Sequence, residues 1–390
     1  MIQYMEHFHK VIDFLNLYEQ LIDCHLVDFI SEKLWDKCLP ELLKSELDNV
    51  KTINDIWKEN ETVTQLNEFI KITKLLSLQA CPMILDFKDI PEFLLNLDND
   101  KWKFNEIKNE DTGFMSKKKL HEVEILGHVV GYIANSTGGL VIDAGAGKAY
   151  LSTYLAENYQ LPVLAIDSSN LCHKAAVHRA EKMKKIGKQT SSLVKYVVTK
   201  IDDNTDYSTM VNIHFPNWNL KSNLILTGLH TCGSLAHSLM KVFLQNDDFK
   251  KCQNVGTTMY RKNKRSQIIV TIIILQSIIT SLYNVRIGRG GPLCDFPTYA
   301  KWALLKIGID SKKIPSTEIL EELYQSHIHF KLKLNLFQIL RIYISPVLEA
   351  AIILDRIIYL QNSKQCSKSV ILRLFNPVLS PRQYAIVAIK

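Results

Sequence analysis

The apolar positions change period partway along the chain. Phe14, Leu17, Leu21 and Ile22, then Leu39, Leu42, Leu43 and Leu47, recur at helical spacing, with Pro40, Pro82 and Pro91 as punctuation. Residues 1–97 are therefore expected to be helical. Residues 98–115 are polar, contain Gly113 and read as a linker. Ser116 and Lys117–Lys119 open a helix expected to run to about Asn135. Beyond it the pattern shortens. Leu140–Ala144, Val163–Ile166, Val194–Val198 and Leu224–Thr227 are short apolar runs that read as buried strands. Helical stretches at Tyr150–Glu157 and Cys172–Lys188 separate the first three. This alternation predicts βαβ units and a mostly parallel sheet flanked by helices.

Three later stretches extend the picture. Ser266–Val285 carries no charge over twenty residues, which is membrane-spanning length. Its Gln, Asn, Ser and Thr residues and its many β-branched residues favour buried strands instead. Leu334–Leu360 is apolar but interrupted by Arg341, Pro346, Glu349, Asp355 and Arg356, and a buried helix pair kinked near Pro346 is expected. Ile371–Phe375 and Tyr384–Ile389 enclose the turn-rich Asn376–Pro381 and predict an antiparallel closing pair. The division expected is an acidic helical domain and linker at 1–115 and an α/β domain at 116–390. Within the latter, 261–285 is atypical and 296–362 is a helical insertion.

Composition changes this little. With 47% hydrophobic and 22% charged residues in 390, the chain is neither disordered nor fibrous. Its eight cysteines are too few for a disulfide scaffold and are expected as thiols. The N-terminus reads as neither a secretory nor a mitochondrial signal, so a cytoplasmic or nuclear location is expected. Charge is more telling. The net value of +7 hides 12 basic against 22 acidic residues in 1–115, which leaves the remainder strongly positive. The acidic part is a solvated surface or a face for a protein partner. The basic part, with clusters at Lys117–Lys119, Lys182–Lys188 and Arg261–Arg265, suits an RNA backbone.

The sharpest chemistry lies at Asp143-Ala-Gly145-Ala-Gly147-Lys148, directly after a strand and before a helix. Glycines there let a ligand approach backbone N–H groups and a helix N-terminus. The spacing is not that of a phosphate loop for nucleotides. It also lacks the third glycine of a dinucleotide loop, where Ala149-Tyr150 stands. An acid at Asp143 repels a pyrophosphate but suits an ammonium group or its water. Asp167, 24 residues on, ends the next strand and can accept from both ribose hydroxyls. Asp202 follows the third strand as a candidate for the adenine side, in competition with Asp203. Carboxylates set for a cationic amine and a ribose suit S-adenosyl-L-methionine.

Taken with LILTGLHTCGSLA, the Asp295–Ile309 run and LFNPVLSPRQYAIVAIK, these motifs resemble the methyltransferase-like protein 25 family. That family includes a member formerly labelled a ribosomal RNA adenine dimethylase domain-containing protein. The resemblance implies an α/β fold: a seven-stranded Rossmann-like S-adenosylmethionine-dependent methyltransferase sheet with an N-terminal helical domain and C-terminal helical additions. It implies Asp143, Gly145, Gly147 and Asp167 as cofactor ligands. His230, Thr231, Cys232 and Gly233 match its HTCG stretch. Related stretches in a tRNA 2′-O-methylating family lend support to an RNA acceptor. The chain departs from the family at Val255–Tyr260, where a cysteine-rich stretch is expected, and in the basic, Ile-rich 261–285 that follows.

His230 and Cys232 are the candidate catalytic residues. A histidine of near-neutral pKa can take a proton as a methyl-bearing sulfur is attacked; alternatively the pair shapes the pocket without chemistry. A zinc set of His230, Cys232, Cys252 and Cys294 has no tight pair in its spacing, so no metal is expected. The Asn-Pro-Pro-aromatic stretch that suits a planar exocyclic amine is absent here, which argues against N6-adenine chemistry. The reading is a methyltransferase acting on RNA slightly ahead of protein. Its rivals are a non-catalytic interaction protein with the same fold and a membrane-attached enzyme.

Overall fold

The computed structural model describes residues 2–56, 64–90, 92, 115–185, 192–218, 223–231, 234–245, 268–273, 291–292, 294–380 and 383–390. Among them the N-terminal part is helical as expected, with α1 (Ile2–Leu17), α2 (Glu19–Asp23), α3 (Leu34–Cys38), α4 (Glu41–Asp48) and α5 (Thr64–Leu76). A three-residue strand, β1 (Ile84–Asp86), follows. The alternating part runs α6 (Lys117–Thr137), β2 (Leu140–Ala144), α7 (Tyr150–Tyr159), β3 (Val163–Asp167), α8 (Asn170–Lys185), β4 (Val194–Val198), α9 (Tyr207–His214), β5 (Leu224–Thr231), α10 (Ser234–Gln245) and β6 (Ile268–Ile273). Three further helices, α11 (Phe296–Lys306), α12 (Thr317–His327) and α13 (Phe330–Gln361), precede β7 (Lys368–Arg373) and β8 (Tyr384–Ile389).

The strands form one eight-stranded sheet in the order β1-β7-β8-β6-β5-β2-β3-β4. Every neighbour pair is parallel except those made by β8, which runs antiparallel to both β6 and β7. The expected antiparallel closing pair is β7–β8, and the seven strands implied by the resemblance gain β1 at one edge. The central strands are buried on both faces, and β2 and β8 are buried throughout, which is why their sequences are continuous apolar runs rather than alternating ones. Residues 268–273 of the uncharged Ser266–Val285 stretch are β6 of this sheet, as the β-branched composition favoured. The rest of that stretch, the polar 98–114, and Val255–Arg265 lie outside the described residues.

The chain divides into two compact units, and the division is not the one expected at 115/116. The sheet unit holds 1–5, 82–276 and 353–390, and the helical unit holds 6–81 and 277–352. Most of the expected helical insertion therefore shares a core with the N-terminal helices, for physical reasons visible in its contacts. Phe337 of α13 is fully buried with its ring centroid 5.2 Å from that of Phe29. Lys333 pairs with Asp48 at 2.7 Å, and that carboxylate also accepts from Trp35 Nε1 at 3.0 Å. The Glu46 carboxylate accepts from the backbone N–H groups of Gln65 and Leu66, both at 2.9 Å, and so caps α5. The pair of helices expected to meet at a kink near Pro346 is one continuous helix, with Pro346 inside it. Pro346 removes the N–H that would bond Ile342, but both residues lie on the exposed face, where water can satisfy the freed carbonyl. By length and composition α13 is apolar enough to cross a membrane, and half of its most apolar window is buried in the protein.

In the sheet unit, α6 and α7 pack unusually closely. A Cβ on Gly131 would lie 2.5 Å from the Tyr159 ring, and one on Gly127 would collide with Tyr154. Tyr159 completes the contact through a 2.8 Å hydrogen bond between its hydroxyl and His128 Nδ1. Only glycine permits this approach, so Gly131→Ala should destabilise the protein by about 1–3 kcal/mol. Urea melts of the Ala variant and of Gly131→Ala/Tyr159→Leu test the cause: relief by the second substitution is expected, and an equal loss in both would point away from ring overlap.

Candidate functional site

All parallel strands point their carboxyl ends to one edge of the sheet, where an open α/β sheet offers its ligand crevice. There Asp143 is the next-to-last residue of β2, Asp167 ends β3, and His230 is the next-to-last residue of β5, which runs to Thr231 rather than stopping at Thr227. The chain leaves β2 through Gly145 and Gly147, at φ +72° and +55°, the left-handed region that glycine enters without strain. The N–H groups of Gly145 and Ala146 donate to the Ile166 carbonyl at 2.8 and 3.0 Å, which ties the loop to the end of β3. Ala149, where a dinucleotide loop would carry its third glycine, also adopts a positive φ of 53°. Its carbonyl accepts from Arg179 Nη2 at 2.7 Å and Thr153 Oγ1 at 2.8 Å. The same guanidinium lies 4.1 Å from the centre of the Tyr150 ring, so α8 braces the strained turn from outside.

The two carboxylates behave differently. Asp143 is 1% exposed, and its Oδ2 accepts from Ser152 Oγ at 2.6 Å. Burial pushes its pKa up to about 6, against the opposing pull of Ser152 and the charge of Lys119. Asp167 is half-buried; one oxygen accepts from Gly147 N–H and the other from Ser169 N–H, both at 2.8 Å. Each oxygen keeps a second lone pair, so the carboxylate is fixed in orientation yet able to accept from a vicinal diol. A Cβ on Gly147 would meet nothing within 4 Å, so the loop leaves open space beside Asp167. The donor set fits S-adenosyl-L-methionine: a buried anion for the amine end, an oriented acceptor pair for the ribose, and a glycine turn with room beside it.

The remaining candidates sort as follows. Asp202 is exposed, and its Oδ1 accepts from Asn204 N–H at 2.9 Å, so it shapes the turn after β4. Asp203 is turned away onto α10, where it accepts from Ser238 and Lys241 at 2.6 and 2.7 Å. Only the backbone of His230 is described, and Cys232, Gly233 and Cys252 lie outside the described residues. Cys294 is exposed. Among the described residues no group of three His, Cys, Asp or Glu could hold a metal ion.

Three contributors escape a motif-based reading: Ser152, Arg179 and Thr227. Ser152 is fully buried between Leu151 and Leu155 on α7; a polar residue on an apolar helical face was the available signal. Thr227 pairs in register with Asp143 on the neighbouring strand, is fully buried, and its hydroxyl has no hydrogen-bond partner among the described residues.

Because the native pKa of Asp143 lies above its ordinary value of 3.8, the folded state holds that proton more tightly than the unfolded one. The resulting penalty is absent below the ordinary value and complete above the native one, near pH 6. Asp143→Asn should therefore stabilise the ligand-free protein at pH 7.5, by about 1–3 kcal/mol, and leave it unchanged near pH 3.5. Thermal melts at the two pH values check this; destabilisation at pH 7.5 would mean the carboxylate is a net structural asset.

Comparison with known proteins agrees with this geometry. Residues 118–257, from α6 past β5, match the family model described as a methyltransferase domain. The chain is 22% identical to probable methyltransferase-like protein 25 of Mus musculus, over 97% of this chain and 95% of that protein. It is 21% identical to the Homo sapiens protein of the same name, over 97% and 96%. Among solved structures it is similar to coclaurine N-methyltransferase bound to N-methylheliamine and SAH, at 14% identity, 67% and 63% coverage and a TM-score of 0.23. The chain thus carries a Rossmann-like methyltransferase domain whose cofactor is S-adenosyl-L-methionine, and it is similar along nearly its whole length to the methyltransferase-like protein 25 proteins.

Proposed function

We propose that this protein transfers a methyl group from S-adenosyl-L-methionine to RNA. The observation that carries the choice of acceptor is the ring of cations around the carboxyl edge of the sheet. Lys117 begins α6, Lys148 sits in the glycine loop, Lys174 lies in the first turns of α8, and Lys200 follows β4; all four are exposed. Exposed lysines on several separate elements around one crevice suit a phosphate backbone that must be held while one nucleotide is presented.

The cofactor supplies an activated methyl group on sulfur, so the protein needs chiefly to align an acceptor and remove a proton. Asp143 and Asp167 hold the cofactor, and Asp202 lies toward its adenine side. His230, at the end of β5, accepts the acceptor's proton, and Cys232 shapes the wall beside it.

Incubation with methyl-labelled S-adenosyl-L-methionine and separate pools of total RNA and total protein tests the proposal. Label is expected in RNA, reduced at least tenfold by His230→Ala and by the charge reversals Lys148→Glu and Lys174→Glu. Label in protein alone would replace the acceptor. Cofactor binding with label in neither pool would favour an interaction protein that keeps the fold.

A further inference from the structure

Residues 374–380 open the LFNPVLSPRQ stretch and form a turn that stands at the cofactor edge. β7 is antiparallel to β8 and β8 to β6, while β6, β5 and β2 are parallel. The chain therefore leaves β7 on the same edge at which it leaves β2 and β5. The turn closes on itself. The Asn376 carbonyl accepts from the Leu379 and Ser380 N–H groups at 3.1 and 2.8 Å, and Asn376 Oδ1 accepts from Val378 N–H at 2.9 Å. It is also fixed to the start of α6. Asn376 N–H donates to His121 Nε2 at 3.3 Å, and Ser380 Oγ donates to Glu122 Oε1 at 2.7 Å. Ser380 and Glu122 are both buried. Three residues before Glu122, Lys119 Nζ lies 5.9 Å from the centre of the Tyr150 ring, and its charge acts on Asp143. The first turns of α6 thus tie this turn to the glycine loop. What the anchorage presents is apolar: Leu379 is 45% exposed and Val378 89%, the highest value for a large hydrophobic side chain among the described residues. A single exposed apolar residue is ordinary. Here two adjacent ones are held out by a turn anchored on a buried carboxylate, and a surface turn needs no such anchor to form.

We infer that Val378 and Leu379 contact the methyl acceptor and cover the face of the base brought to the cofactor, an inference that rests on the proposal that RNA is the acceptor. A base drawn out of its stack loses an apolar neighbour, and aliphatic side chains can take that neighbour's place. The position suits this role. β8 lies two strand spacings from β5, about 10 Å, so a base presented at the end of β5 has the tip beside it. Lys117 and Lys118, in the first turn of the helix that holds the tip, supply cations for the flanking phosphates. The tip touches the face of a base and not its hydrogen-bonding edge, so it adds affinity for an unstacked nucleotide without choosing among bases. That contact is equal before and during methyl transfer, so its loss appears in KM and leaves kcat.

The test compares the full-length wild-type chain with Val378→Ser/Leu379→Ser and with the apolar exchange Val378→Leu/Leu379→Val, using methyl-labelled S-adenosyl-L-methionine and total RNA. The serine pair should raise the KM for RNA by roughly fivefold or more and leave kcat within about twofold, while the exchange keeps the wild-type KM. Calorimetry should give the same affinity for S-adenosyl-L-methionine in all three proteins, and their melting temperatures should agree because the tip is exposed. A wild-type KM in the serine pair overturns the inference and leaves RNA as the acceptor. A lowered melting temperature or weakened cofactor binding in the serine pair also overturns it, since the tip then belongs to the fold or to the cofactor site. No label in RNA from the wild-type protein removes the RNA proposal and this inference together.

Discussion

A carboxylate buried in the middle of a parallel sheet is the constraint on which the cofactor edge depends. Asp143 is the next-to-last residue of β2, a strand covered on both faces and flanked by β5 and β3. An ionised group there is expensive unless hydrogen bonds and nearby charge compensate it. Ser152 supplies a hydrogen bond from the first turn of α7, and this fixes where α7 must begin relative to β2. The chain between them must then turn sharply, which Gly145, Gly147 and the strained Ala149 accomplish. Arg179 and Asp167 secure that turn from α8 and β3. The glycine loop is thus a consequence of where the acid is placed, and the open space beside Gly147 is the result that matters for a ligand.

The helical unit obeys a different logic. Its core is apolar, with Leu21, Leu47, Leu66 and Phe337 almost fully buried, and its polar contacts are caps and ion pairs between helices distant in sequence. Arg341 reaches residues more than three hundred positions earlier in the chain. Local periodicity reveals each helix but carries no information about which distant helix completes its core. That is why the boundary read from the change of period and the polar stretch 98–115 differs from the grouping in space.

The sheet was legible because its strands are buried on both faces and separated by helices of clear period. β2, β4 and β8 match the expected runs residue for residue, and β3 differs by one. The two acids near the strand ends were legible for a related reason: a charged residue at the end of an apolar strand has few structural explanations. Ser152 and Arg179 were not, since each acts through a partner that only the fold brings near; Thr227 was not, since only strand pairing sets it beside Asp143. β1 escaped because three residues in a helical, proline-punctuated region carry no period, and its partner β7 lies near the other end of the chain. Pro346 did not divide the helix: it and Ile342, whose carbonyl it frees, both lie on the exposed face, where water can replace the lost N–H.

Amide hydrogen exchange with and without S-adenosyl-L-methionine tests the central claim most directly, that Asp143, the glycine loop and Asp167 form one cofactor-binding edge. Added cofactor should slow exchange in 143–152, 167–173 and 199–206, most at Gly147 and Ser169, whose N–H groups bind Asp167. The same measurement on Asp167→Ala should show no protection at equal cofactor concentration. Unchanged exchange across these three segments in the wild-type protein, at saturating cofactor, would contradict the account.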